Sequence, residues 1–257
     1  MPSAITEWAD RVAVIVGAAT GVGRASAFAL AERGAHLVLA DRDEARLERT
    51  RSKLADTFHK RRIISLVVDV TEDADVEMLA AETLERFGHA DFLLNSAAIA
   101  VDGPWEHVPA ADWQRSVDVN LLGVTRLLHG FLPALMRQHS GWIVNTVSSD
   151  ALLADSPTAG PAAATASAVV GMSKSLAIYL GGYGVGVSVL SPDPNETNET
   201  NEANETAARE LVAGLAAGTF LISSPRTKQR LLAWAGDPDT EIARLIAAAH
   251  PADRSNQ

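Results

Sequence analysis

Arg11-Val-Ala-Val-Ile-Val16, followed at once by Gly17-Ala-Ala-Thr-Gly21-Val-Gly23, is the stretch whose reading decides the fold. An uninterrupted run of small and β-branched apolar residues predicts a strand buried on both faces, as parallel strands are. The glycine-rich turn leads into a helix over Arg24 to Arg33, stopped by Gly34. Outward from there the pattern repeats. His36-Leu-Val-Leu-Ala40, Ile63-Ile-Ser-Leu-Val-Val68, Asp91-Phe-Leu-Leu94, Gly141-Trp-Ile-Val-Asn-Thr146 and Val185-Gly-Val-Ser-Val-Leu190 read as further strands. Between them lie helical segments over Asp43 to Lys60, Thr71 (as N-cap) to Gly88, Ala110 to Gln138 and Pro161 to Leu180. Strands alternating with helices predict an α/β chain with a Rossmann-like, doubly wound parallel sheet. No linker interrupts the alternation, so one domain is expected over residues 1–257.

Composition narrows the function. The 257 residues carry a formal net charge of −10, and no basic patch interrupts the acidic balance, so no nucleic-acid partner is expected. The chain has no cysteine, which excludes disulfides and cysteine-held metals, and no His/Asp/Glu spacing suggests another metal. No apolar run of the length a membrane span needs stands out, and Met1-Pro-Ser-Ala-Ile-Thr-Glu lacks the basic start of a signal peptide. A cytoplasmic protein without a membrane partner is the expectation. Residues 194–217 form a polar region opened by four tandem triplets: Asn195-Glu-Thr, Asn198-Glu-Thr, Asn201-Glu-Ala and Asn204-Glu-Thr. A mobile surface segment leading into a helix from Ala207 to Ala217 is expected there, ahead of an edge strand at Thr219 to Ser223 and two amphipathic segments, Thr227–Ala235 and Thr240–His250.

The glycine turn also carries chemistry. At the start of a helix it presents free N–H groups and a positive dipole end to a diphosphate. Alone the pattern is weak evidence, but the second strand ends in Asp41, 24 positions after Gly17. A carboxylate there accepts hydrogen bonds from ribose hydroxyls and repels a 2′-phosphate. Together these residues predict NAD as the cofactor, with Arg42 adjoining Asp41.

At this point the chain resembles the short-chain dehydrogenases/reductases over essentially its full length. Gly17, Thr20, Gly21, Val22 and Gly23 match their cofactor turn, and Asp69-Val70 matches their adenine contact. Asn95-Ser-Ala97-Ala resembles their Asn-Asn-Ala-Gly, and Asn120 their active-site helix asparagine. Ile143-Val-Asn-Thr-Val-Ser-Ser149 resembles the strand ending in their catalytic serine: counting from Asn145 favours Ser148, counting back from the next helix favours Ser149. Pro192-Asp-Pro-Asn-Glu-Thr197 resembles a further cofactor contact, with Asp193 in place of glycine. The resemblance implies alcohol/carbonyl interconversion on a small molecule, and homodimers or homotetramers paired through the helices after strands four and five. An apolar stripe at Val117, Leu121, Val124, Leu127, Leu128 and Phe131 fits such pairing.

The same resemblance exposes a departure. The family's catalytic tyrosine and lysine correspond to Ala162 and Ala166. Hydride addition to a carbonyl creates an alkoxide that needs a proton, and alanine supplies neither a proton nor the lysine's ribose contact. Lys174 lies about 12 Å further along the helix, Tyr179 about 25 Å from Ala162, and His129 about 13.5 Å beyond Asn120, so none replaces the pair. Asp150 and Asp155 flank the expected pocket as alternative proton carriers. Three readings follow: a scaffold whose catalytic pair was deliberately replaced by alanine, a natural non-redox NAD-binding sensor or structural subunit, or a lyase or isomerase using Asp150 or Asp155.

Overall fold

A computed structural model describes residues 4–192 and 201–249. Its elements run β1 (Val12–Val16), α1 (Gly21–Glu32), β2 (His36–Asp41), α2 (Glu44–Thr57), β3 (Ile63–Val67), α3 (Asp73–Phe87), β4 (Phe92–Asn95), α4 (Ala110–Val117), α5 (Gly123–Gln138), β5 (Gly141–Thr146), α6 (Ser149–Leu153), α7 (Gly160–Leu180), β6 (Val185–Ser191), α8 (Asn201–Ala216), β7 (Leu221–Ser223), α9 (Pro225–Gly236) and α10 (Pro238–Ala249). The seven strands form one sheet in the order β3-β2-β1-β4-β5-β6-β7, with every neighbour parallel. The α/β, doubly wound architecture read from the alternation is the one observed.

Burial explains the arrangement. All five residues of β1 and all seven of β6 are buried, which only a sheet covered on both faces permits. Ala27, Leu30, Leu47, Leu54, Leu211 and Leu215 from α1, α2 and α8 pack on one face. Val76, Leu79, Val124, Leu127, Phe131, Val169 and Leu180 from α3, α5 and α7 pack on the other. The strand order reverses between β1 and β4. Ligands of open α/β sheets sit beyond the carboxyl ends of the strands at such a reversal.

Four expectations need correction. The helix expected over Ala110–Gln138 is interrupted by a π-turn at Asp118–Leu122, in which the Gly123 N–H bonds to the Asp118 carbonyl. Arg126 holds that turn, donating to the Asp118 carbonyl (3.3 Å) and carboxylate (2.9 Å) and to the Val70 carbonyl (3.3 Å). Thr71 does not cap α3: Glu72 stands at the N-cap position without a side-chain bond, while the Thr71 hydroxyl donates to Asp69 at 2.8 Å. The polar repeat is not wholly a surface loop. α8 starts at Asn201, since buried Ala203, Ala207, Leu211 and Leu215, spaced by four, extend its apolar stripe back into the third triplet. The first two triplets, Asp193 and Thr197 lie outside the described residues.

The fourth correction concerns the surfaces of the long helices. Val124, Leu127, Leu128 and Phe131 are buried against the sheet of their own chain and are not available to a partner. Ala110–Gln138 and Gly160–Tyr183 are also long and apolar enough for a span by composition, with mean hydropathy 1.3. Val124, Leu127, Phe131, Val169 and Leu180 among their apolar residues pack on the sheet, while Leu122, Ile178 and Tyr179 stand exposed.

Phe131 is fully buried on α5. Replacing it with alanine should cost about 3–5 kcal/mol, read as a lower urea midpoint at unchanged slope. A loss below about 1 kcal/mol would show that α5 does not anchor this face.

Candidate active site

The glycine turn is shaped by backbone crowding. Gly17 adopts φ +83°, and a Cβ there would stand 2.6 Å from the carbonyl carbon of Ser96. A Cβ on Gly23 would stand 2.2 Å from the Gly17 carbonyl oxygen. The Gly17 and Ala18 N–H groups donate to the Ala40 carbonyl at 2.8 and 3.1 Å, tying the turn to β2. Thr20, at the N-cap of α1, makes no side-chain cap, and the first turn carries no acidic residue. The N–H groups and positive dipole end of α1 are therefore left facing a ligand.

What they face is a cavity of about 430 Å³. Its lining includes Gly17, Thr20, Gly21, Val22, Asp41, Arg42, Asp69, Val70 and Ala97, all read from the sequence as cofactor contacts. Asp41 braces the turn: one carboxylate oxygen accepts from the Ala19 N–H and the other from the Asp43 N–H, each at 3.0 Å. Each oxygen keeps further acceptor capacity. Asp69 faces opposing influences. Burial raises its carboxyl, but the Thr71 N–H and hydroxyl prevail and hold it below the ordinary carboxylate range.

A second cavity, of about 470 Å³, adjoins the first and shares Ser96, Ala97, Ala98 and Ile99 with it. It is lined by Asn95, Asn120, Ser148, Ala162 and Ala166 among others, so five residues expected at the site from sequence, on four segments of the chain, meet here. Asn120, on the π-turn, accepts from the Ile99 N–H at 2.8 Å and donates to the Ile99 carbonyl at 3.0 Å. Its amide also approaches Ser116 Oγ (3.2 Å) and Thr165 Oγ1 (3.4 Å). Asn120 is thus a clamp joining three segments, with its hydrogen-bonding capacity largely occupied.

The geometry separates the two serines. Ser148 lines the cavity, whereas Ser149 is fully buried, its Oγ without a hydrogen-bond partner among the described residues. Asp150 lines the cavity. Asp155 is instead ion-paired with Arg230 of α9, and burial pushes its carboxyl up although the guanidinium pulls it down. Lys174, Tyr179 and His129 are exposed and line neither cavity. Pro192 is buried after β6, outside both linings. Asn95 borders the second cavity and not the first. Sequence reading missed Arg46 and Asn204, which line the first cavity. A one-turn offset from Arg42 on a helix was the only signal for Arg46, and Asn204 had none.

A parallel doubly wound sheet with an uncapped glycine turn opening on a cavity at its strand reversal defines a Rossmann-like dinucleotide-binding architecture. The family is equally definite. The short chain dehydrogenase family model matches residues 11–208, and the chain belongs to that family. It is 35% identical over 191 residues to a levodione reductase of Leifsonia aquatica, covering 74% of this chain and 71% of the relative. It is 35% identical over 188 residues to an L-fucose dehydrogenase of Bos taurus, covering 73% and 67%. Among solved structures, a short chain dehydrogenase/reductase from Burkholderia phymatum in complex with NAD superposes with TM-score 0.81 at 29% identity, covering 93% of this chain and 96% of the other.

Gly23→Ala should lower stability by at least about 3 kcal/mol, because the new Cβ meets backbone that has nowhere to move. Gly236→Ala, where nothing lies within 4 Å of the added Cβ, serves as control and should change the unfolding midpoint little. Equal effects of the two would contradict the crowding described.

Proposed function

We propose that the chain is an NAD-binding short-chain dehydrogenase/reductase whose alcohol/carbonyl chemistry is disabled because Ala162 and Ala166 occupy the positions of the catalytic tyrosine and lysine. One observation carries this: the two alanines, one helical turn apart on α7, line the cavity that Ser148 and Asn120 also line. In this reading the turn from Gly17 to Gly23 holds the diphosphate, Asp41 and Arg42 bracket the adenosine ribose, and Asp69 and Val70 border the adenine. Asn95, Ala97, Pro192 and Thr197 complete the family's cofactor set, the last beyond the described residues. When bound, the nicotinamide supplies or accepts hydride. The chain's own part is to orient the carbonyl through Ser148, with Ser149 behind it, and to deliver a proton. For the second task the cavity is lined by no tyrosine and no lysine among the described residues. Loss of a positioned general acid costs about 10²–10⁴ in rate. A small-molecule substrate and a cytoplasmic setting belong to the same reading.

Asp150 gives the lyase or isomerase alternative its footing, since it lines the cavity. Asp155 does not, being held by Arg230.

NADH should bind, detected by nicotinamide fluorescence, while the unaltered chain turns over alcohols and ketones slowly or not at all. An Ala162→Tyr/Ala166→Lys double replacement should restore NAD-linked turnover by about 10² or more. Binding without any gain on a broad alcohol and ketone panel would count against the lost-pair reading. Product formed by the unaltered chain with no change in nicotinamide absorbance would favour Asp150 chemistry.

Assembly as a homodimer or homotetramer is part of the proposal, now resting on the exposed face of α7, where Ala164, Ser167 and Gly171 are small and Ile178 and Tyr179 stand in solvent. Light scattering should give a multiple of 27.1 kDa, and a monomer at micromolar concentration would overturn it.

A further inference from the structure

Apart from Thr197, the tandem Asn-Glu triplets take no part in the function as so far described, yet the last of them reaches the cofactor cavity. α8 packs along α1 through Ala203, Ala207 and Ala208, all buried. That packing sets Asn204, in the first turn of α8, beside the N-terminus of α1. Asn204 lines the cavity together with Gly21 and Val22. A Cβ placed on Gly21 would meet one atom within 4 Å, the Asn204 Oδ1 at 3.9 Å.

The charged neighbours are turned elsewhere. Glu205 and Arg24, whose guanidinium lies 5.0 Å over the Phe28 ring, line an adjoining groove between α1 and α8 that Gly21 and Asn204 also border. Neither Glu205 nor Arg24 borders the cofactor cavity. What the repeat offers that cavity is a neutral amide, opposite uncapped helix N–H groups.

We propose that Asn204 is a diphosphate-binding residue, its side-chain amide N–H donating to a phosphate oxygen seated on the N-terminus of α1. The assignment rests on the NAD reading above. An amide both donates and carries no charge, so it adds a bond to an anion without repelling it. Aspartate has nearly the same shape but lacks the donor and adds a charge beside the seated phosphate, where like-charge repulsion opposes binding. The shape match makes the substitution informative. In the first turn of α8 a carboxylate also suits the helix dipole, so Asn204→Asp is not expected to weaken the fold.

The test titrates NADH, ADP and adenosine into the full chain and into Asn204→Asp by calorimetry, with urea midpoints measured in parallel. NADH and ADP should each bind about tenfold more weakly to the variant, adenosine should change by less than about twofold, and the midpoint should hold. The deficit for NADH should shrink as salt is raised from low ionic strength. Unchanged NADH and ADP affinity in the variant overturns the assignment while leaving the cofactor reading intact. An equal loss for adenosine overturns it too, since Asn204 would then shape the cavity and not contact phosphate. An unsubstituted chain that binds neither NADH nor ADP overturns both.

Discussion

Everything at the site depends on one contact between backbone segments. The Cα of Gly23 lies so close to the Gly17 carbonyl that no side chain fits between them, and Gly17 is pressed in turn against the chain leaving β4 at Ser96. These two approaches fix how α1 leaves β1 and how closely β4 runs beside it. They therefore set the mouth of the crevice where the strand order reverses. A side chain at either glycine would push α1 away from the sheet and separate the N–H groups from the Asp41 carboxylate that braces the turn.

The second organising element is the Asn120 clamp. Its paired bonds to Ile99 hold the wall common to both cavities, and on the same π-turn the Asp118 carbonyl accepts from both the Gly123 N–H and Arg126. π-turns inside α-helices are often found at functional sites. Arg126 also bonds the Val70 carbonyl, so one guanidinium connects the Val70 edge of the first cavity to the turn bordering the second. Burial works against the Arg126 charge, but its bonds to Asp118 and Asp73 prevail and raise its pKa.

How much of this was legible follows from range. β1, its glycine turn and the alternation of strands and helices are local patterns, and they led to the sheet and the first cavity. Asp41 is legible because a strand end places it, although the two hydrogen bonds it accepts from the Ala19 and Asp43 N–H groups were not foreseeable. The π-turn was hidden because helical periodicity continues through Asp118–Leu122, and only the contact with Ile99 breaks it. Whether Ser148 or Ser149 meets the cavity turns on one residue of register at the start of α6, finer than spacing alone resolves. The stripe from Val124 to Phe131 was legible as apolar but not as to which neighbour it meets. The opening residues of α8 were masked by their polarity: the alanines that bury them against α1 alternate with asparagine and glutamate.

The sheet itself ends in a way that governs encounters between molecules. At one margin β7 has only three residues, Leu221–Ser223, and Pro225 follows almost at once; at the other, β3 is preceded by Lys60, Arg61 and Arg62. A short margin closed by proline and a margin flanked by like charges both discourage an incoming strand. Another copy therefore finds no ready template for adding itself to the sheet. Between folded copies, contact through helical faces is therefore favoured over strand addition at either margin.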